Sequence, residues 1–85
     1  MTRYIDNKTV DFYGSALIDG FSIDFYGVIN DTLIYTVNGG KPKLASFRPC
    51  RWARGLHGNA PTGTHYGDYH LLLPNQKTIV VKEYL

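Results

Sequence analysis

The stretch Phe21-Ser22-Ile23-Asp24-Phe25-Tyr26-Gly27-Val28-Ile29 alternates apolar and polar side chains over most of its length. Successive residues of a β-strand point to opposite faces of a sheet, so this pattern predicts a strand with one buried face and one solvated face. The face that we expect to be buried contains Phe21, Ile23, Phe25 and Ile29.

Further strands are predicted on the C-terminal side of this one. Thr32 to Val37 is rich in β-branched residues and ends at Asn38-Gly39, a pair that favours a two-residue hairpin turn. Lys43 to Phe47 is the predicted return strand. Pro42 suits the start of that strand, because proline cannot donate a hydrogen bond to a sheet.

The two ends of the chain also predict strands. Tyr69 to Leu73 and Thr78 to Leu85 flank the turn-forming residues Pro74 to Lys77, which indicates a second hairpin. Thr9 to Tyr13 alternates like a strand, and Ser15 to Asp19 fits either one helical turn or an extension of that strand. We therefore expect an all-β, mainly antiparallel fold of about six strands in a meander, closed into a small barrel or a compact sandwich.

Length and composition limit the class of protein. The chain has 85 residues, which predicts a single β domain spanning 1–85. With 44% hydrophobic and 19% charged residues, the composition is that of a globular protein. The single Cys50 excludes an internal disulfide, and neither a signal-peptide segment nor a membrane span is present, so we expect a cytoplasmic protein that does not contact a membrane.

A short repeat precedes the second half of the chain. Val10-Asp11-Phe12-Tyr13-Gly14 recurs as Ile23-Asp24-Phe25-Tyr26-Gly27. The favoured interpretation is two amphipathic strands that each end at a bulge or bend, where glycine is common. The alternative is a duplicated stripe of Asp and Tyr side chains that forms a contact surface, if the two strands pair.

Charge and structure both change in the middle of the sequence. Residues 1–31 carry five acids and two bases, whereas residues 32–67 carry five bases and no acid. The β pattern stops between Arg48 and Gly67, which predicts a long irregular loop that can hold one short helical turn from Pro49 to about Arg54. Loops of this length in compact domains are usually functional or mobile.

This loop contains the predicted binding residues. Arginine offers a planar hydrogen-bonding fork, and tryptophan offers a stacking surface, so the combination suits a protein hot spot or a nucleic acid. The competing interpretation is that Trp52 closes one edge of the core while the arginines pair with N-terminal acids. The candidate binding residues are Arg48, Arg51, Trp52, Arg54, His65 and Tyr66, with Lys41 and Lys43 on the preceding hairpin.

No motif predicts a cofactor or a metal. Cys50, His57, His65 and His70 have no spacing typical of zinc ligands. The best enzymatic interpretation is a nuclease-like pair of His57 and His65, with an arginine to stabilise a phosphate.

The sequence favours a small non-enzymatic binding module or inhibitor, of the kind that phages and other mobile elements encode, acting as a monomer or homodimer. Its partner would be a larger protein or nucleoprotein, contacted through the Arg/Trp loop and exposed Tyr side chains. The alternative is a domain that binds RNA or single-stranded DNA through the basic aromatic patch. A further alternative is a small nuclease or phosphate-handling enzyme that uses His57 and His65.

Overall fold

The computed structural model describes residues 2–5, 8–50 and 65–84, and these residues form eight strands without a helix. The strands are β1 (Thr2–Ile5), β2 (Lys8–Thr9), β3 (Ser15–Ile18), β4 (Phe21–Ile29), β5 (Thr32–Val37), β6 (Lys43–Pro49), β7 (His65–Leu72) and β8 (Thr78–Tyr84). All neighbouring strands are antiparallel, in the order β2-β1-β8-β7-β6-β5-β4-β3. The predicted all-β antiparallel class is confirmed, and the sheet curls into a half-barrel.

The strands on either side of the loop are longer than predicted. β6 continues two residues beyond Phe47, and β7 begins at His65 rather than at Tyr69. Pro49 pairs with Gly67 as the last residue of β6, so it does not begin a helical turn. The Cys50 N–H donates a hydrogen bond of 2.9 Å to the Tyr66 carbonyl, and this bond keeps β6 and β7 paired past Pro49.

The first copy of the repeat is not a strand, so the strand predicted from Thr9 to Tyr13 is wrong beyond Thr9. The Asp11 carboxylate accepts a hydrogen bond from the Tyr13 N–H at 2.9 Å, and the Asp11 carbonyl accepts one from the Gly14 N–H at 3.0 Å. A short Asp side chain that bonds the backbone two residues onward favours a turn over a strand. Phe12 is nevertheless buried, as the alternation predicts.

The concave face of the half-barrel holds the core. Phe12 lies at its centre, with its ring centroid 5.8 Å from that of Phe25 and 5.3 Å from that of Tyr69. Burial of such aromatic and aliphatic surface is the main source of stability in a domain of this size. The core consists of Ile5, Phe12, Ile18, Ile23, Phe25, Leu33, Tyr35, Val37, Ala45, Tyr69, Leu71, Leu73 and Val81.

β6 joins the two halves of the sheet by changing its partner. Residues 43–46 of β6 pair with β5, and residues 47–49 pair with β7. The backbone of Leu72, at the far end of β7, therefore lies beyond the β6–β7 pairs. The Tyr35 hydroxyl accepts a hydrogen bond from the Leu72 N–H at 3.2 Å and donates one to the Leu72 carbonyl at 3.4 Å. A buried side chain thus replaces the missing backbone partner.

The Tyr35→Phe variant is expected to destabilise the fold by about 0.5–1.5 kcal/mol, because it removes two partly buried hydrogen bonds to the backbone of Leu72. Urea unfolding followed by circular dichroism measures this difference. Tyr26→Phe is the matched control, since Tyr26 is 56% exposed and its loss should change stability by less than about 0.5 kcal/mol. Equal effects of the two variants would contradict the bridging role of Tyr35.

Burial and the neighbouring Glu83 carboxylate raise the pKa of Tyr69 to about 12. An unfolded tyrosine ionises near pH 10, so the stabilisation is complete below that pH and is lost as the pH rises toward 12. We expect a loss of about 2–3 kcal/mol over this range from Tyr69. Between pH 10 and pH 12, the free energy of unfolding should fall less steeply for Tyr69→Phe than for the unchanged chain, as urea unfolding at a series of pH values would measure. An unaltered decline would show that other groups control alkaline unfolding.

Candidate docking surface

The convex face of the sheet carries a row of charged side chains where β6, β7, β8 and β1 lie side by side. Arg48 of β6 is exposed and lies opposite Asp68 of β7. Asp68 in turn lies opposite Lys82 of β8, and Lys82 lies opposite Tyr4 of β1. Strand pairing therefore places two exposed cations on either side of one carboxylate.

An aromatic stack borders this row. The His65 ring lies 5.1 Å from the Tyr84 ring with an angle of 25° between the planes, and the Tyr84 ring meets Tyr4 edge-on at 5.6 Å. The Nε2 atom of His65 is 2.6 Å from a carboxylate oxygen of Asp68. The carboxylate fixes the orientation of the imidazole and links the stack to the charged row. We call these six residues the Arg48 surface: Tyr4, Arg48, His65, Asp68, Lys82 and Tyr84.

A bulge at the start of β7 orients His65 and Tyr66. The register with β8 shifts between His65 and Gly67, and bulges of this kind redirect side chains. A Cβ atom on Gly67 would lie only 2.2 Å from Cζ of Phe47, so the Phe47 ring occupies the space that any other residue would need. Tyr66 packs on the same ring, at a centroid distance of 5.3 Å.

Gly67→Ala is expected to destabilise the protein by about 1–3 kcal/mol, because the added methyl group displaces the Phe47 ring from the core. Thermal unfolding measures the loss. Gly20→Ala is a useful control, since a Cβ atom at Gly20 meets nothing within 4 Å and only its positive φ of 81° is unfavourable. If Gly67→Ala cost no more than Gly20→Ala, the tight contact with Phe47 would not constrain the bulge.

A partly buried ion pair anchors β1 beneath this surface. The Arg3 Nε atom donates to a Glu83 carboxylate oxygen at 2.6 Å, and Glu83 is only 3% exposed. The Arg3 guanidinium also lies 4.2 Å from the centre of the Phe12 ring, close enough for a cation–π contact. These contacts hold β1 against β8 and so fix Tyr4 beside Lys82 on the opposite face.

The structure brings together only some of the predicted binding residues. Arg48, His65 and Tyr66 lie at the end of the sheet where β6 finishes and β7 begins. Lys41 and Lys43 lie at the other end of β6. Lys43 also lies on the same face of β6 as the buried Ala45, which is the concave face, so the two lysines do not extend the Arg48 surface. The predictions for Arg51, Trp52, Arg54 and His57 fall outside the described residues.

Sequence reasoning missed four members of the Arg48 surface, namely Tyr4, Asp68, Lys82 and Tyr84. They are distant in sequence and come together only through the pairing of β1 with β8 and of β8 with β7. The only local signal was alternation, which places Lys82 and Tyr84 on one face of β8.

The side chains of the Arg48 surface are suited to hydrogen bonding and stacking. Arg48 and Lys82 carry hydrogen-bond donors, Asp68 carries acceptors, and Tyr84 and His65 offer ring surface. In the described part of the chain, no three His, Cys, Asp or Glu side chains come together as metal ligands would. The same residues include no helix that is long and apolar enough to cross a membrane.

No protein-family model, curated protein or solved structure matches this chain. Its function therefore has to be argued from its own residues.

Proposed function

We propose that this protein is a small non-enzymatic binding module, an adaptor or an inhibitor, that docks on a larger protein through the Arg48 surface. The observation that carries the proposal is the cross-strand row in which Asp68 lies between Arg48 and Lys82 beside a stack of aromatic rings. Arginine and tyrosine are the residues most enriched at the centres of protein interfaces.

The scaffold beneath the row reduces the entropy cost of binding. His65 is held by both Asp68 and Tyr84, and β1 is held by the Arg3–Glu83 pair. Side chains that are already ordered lose less conformational freedom when a partner docks. The half-buried members of the surface, His65, Asp68, Tyr4 and Tyr84, are therefore suited to tight contact, despite the small area.

The pattern of charges favours a protein partner over a nucleic acid. Binding to a polyanion depends on cations that contact phosphates, and Asp68, which lies between the two exposed bases of the row, would repel phosphates. Lys41 and Lys43, which would have to contact further phosphates, lie at the opposite end of β6. Alternating charges instead complement a protein surface whose own charges alternate, and such complementarity gives specificity.

Charge reversal at Arg48 tests the proposal. Tagged protein is used to capture partners from nuclease-treated lysate of the source organism, and captured proteins are quantified by mass spectrometry. Arg48→Glu is expected to reduce capture of the specific partner about tenfold or more, because it places a second acid beside Asp68. Lys77→Glu is the matched control, since Lys77 is an exposed base in the β7–β8 turn and its reversal should leave capture unchanged.

Two results would contradict this proposal. Equal capture by Arg48→Glu and Lys77→Glu would show that the Arg48 surface is not the contact. Capture that disappears after nuclease treatment, together with binding to RNA or single-stranded DNA that weakens steeply with salt, would favour the nucleic-acid alternative.

A further inference from the structure

β3 is an open edge of the half-barrel. Within the described residues β3 pairs with β4 alone, and β2 at the opposite end of the sheet pairs with β1 alone. The turn that joins β3 to β4 consists of Asp19 and Gly20, whose φ angles of 51° and 81° are both positive. This is the conformation of a two-residue type I′ hairpin.

The hairpin geometry determines which backbone groups of β3 point to the open side. The residues that flank a two-residue turn, Ile18 and Phe21, form a hydrogen-bonded pair, and such pairs alternate along antiparallel strands. The N–H of Phe25 donates to the carbonyl of Gly14 at 2.9 Å, which fits the same alternation. The N–H and C=O groups of Leu17 therefore point away from β4, toward the open edge.

This edge lacks the features that protect other edges. Monomeric proteins discourage edge pairing with charged side chains, prolines, bulges or very short strands. β2 has only two residues, one of which is Lys8. β3 consists of Ser-Ala-Leu-Ile without charge, proline or bulge, and its Leu17 is 78% exposed.

A cleft runs along this edge. Its volume is about 300 Å³, and residues of β3 and of the β1–β2 hairpin form its two walls. Apolar side chains of Ile5, Val10, Ala16 and Ile18 line it. An extended chain placed in the cleft could direct alternate side chains onto this apolar floor.

The segment of sequence that contains β3 carries only negative charges. Residues 9–40 contain four acids and no Lys, Arg or His. Asp11 precedes β3, Asp19 follows it, and Asp24 lies opposite Ser15 and accepts a hydrogen bond from its hydroxyl at 2.6 Å. The one base that lines the cleft, Lys8, is on the opposite wall.

An exposed aromatic ring lies near these acids, at the start of β3. Tyr13 is 81% exposed, and its ring lies against the backbone of Gly27, where a Cβ atom would be 2.7 Å from the ring. A tyrosine face attracts lysine and arginine side chains. The two copies of the repeat thus meet, through Tyr13 of the first and Gly27 of the second, beside the open edge.

We propose that β3 binds an extended, basic segment of a partner protein, which adds to the sheet as a further antiparallel or parallel strand. Its backbone pairs with Ser15 and Leu17, its alternate apolar side chains cover the cleft, and its Lys or Arg side chains face Asp19, Asp24 and Tyr13. This contact does not use Arg48 or Asp68, although Asp19 also lines a larger cavity together with Tyr4, Lys82 and Tyr84 of the Arg48 surface.

The test uses the whole protein and short fluorescent peptides, with binding followed by anisotropy at low salt. A peptide in which Val and Lys alternate is expected to bind about tenfold more tightly than its Val and Glu counterpart, since two or three exposed ion pairs supply that difference. Two versions of the Val and Lys peptide are methylated on alternate backbone nitrogens, one for each set of alternate N–H groups. The version whose methyl groups replace the N–H groups that pair with β3 should lose binding.

Variants of Leu17 give a second measurement. Leu17→Pro removes an N–H that points to the open edge, so it deletes no hydrogen bond of the fold, and it should weaken the Val and Lys peptide about fivefold or more. Leu17→Thr is the control, because it shortens the exposed side chain but retains the N–H, and it should bind more tightly than Leu17→Pro.

Three outcomes would overturn the proposal. The first is equal affinity for the Val and Lys peptide and its Val and Glu counterpart, or no binding of either. The second is full binding of every methylated peptide, which would indicate charge attraction without strand pairing. The third is a concentration-dependent dimer in sedimentation velocity that disappears in Leu17→Pro, which would show that a second copy of the chain occupies this edge.

Discussion

The point on which the sheet depends is the change of partner along β6. A strand that pairs with β5 over its first half and with β7 over its second half makes one sheet from two, but it leaves backbone groups of β7 beyond its reach. The hydroxyl of Tyr35 supplies the missing donor and acceptor for Leu72 inside the core. An amide and a carbonyl left unpaired in this partly buried position would destabilise the sheet, so this contact helps the sheet to curl.

Curling has two consequences for the surfaces of the protein. The concave face becomes a single core, crowded with rings around Phe12. On the convex face, the ends of β6, β7, β8 and β1 lie side by side. Side chains on such strands are held more rigidly than side chains on a free loop. Because the curl is only half a barrel, β3 has no partner other than β4 among the residues that the structure describes.

The distribution of charge follows from the same architecture. Asp11, Asp19 and Asp24 lie around β3, while Asp31 lies in the β4–β5 turn and its backbone carbonyl accepts a hydrogen bond from the Phe47 N–H of β6. Strand pairing places Arg48 opposite Asp68, which is not one of the N-terminal acids that the competing interpretation assigned to the arginines as partners. The charges of the Arg48 surface alternate in sign whereas those around β3 are mainly negative, so the two places suit partners of different charge.

Local patterns in the sequence determined the class of fold and most of its strands. Alternation from Phe21 to Ile29, the Asn38-Gly39 turn and the C-terminal hairpin are short-range signals, and each has a direct physical cause in side-chain period or positive φ. Alternation failed at Asp11, where a carboxylate bonded to the backbone favours a turn over a strand. Tertiary structure alone decided the order of the strands, the burial of Glu83 against Arg3 and the meeting of Tyr4, His65 and Tyr84, because each depends on pairing between residues far apart in the chain.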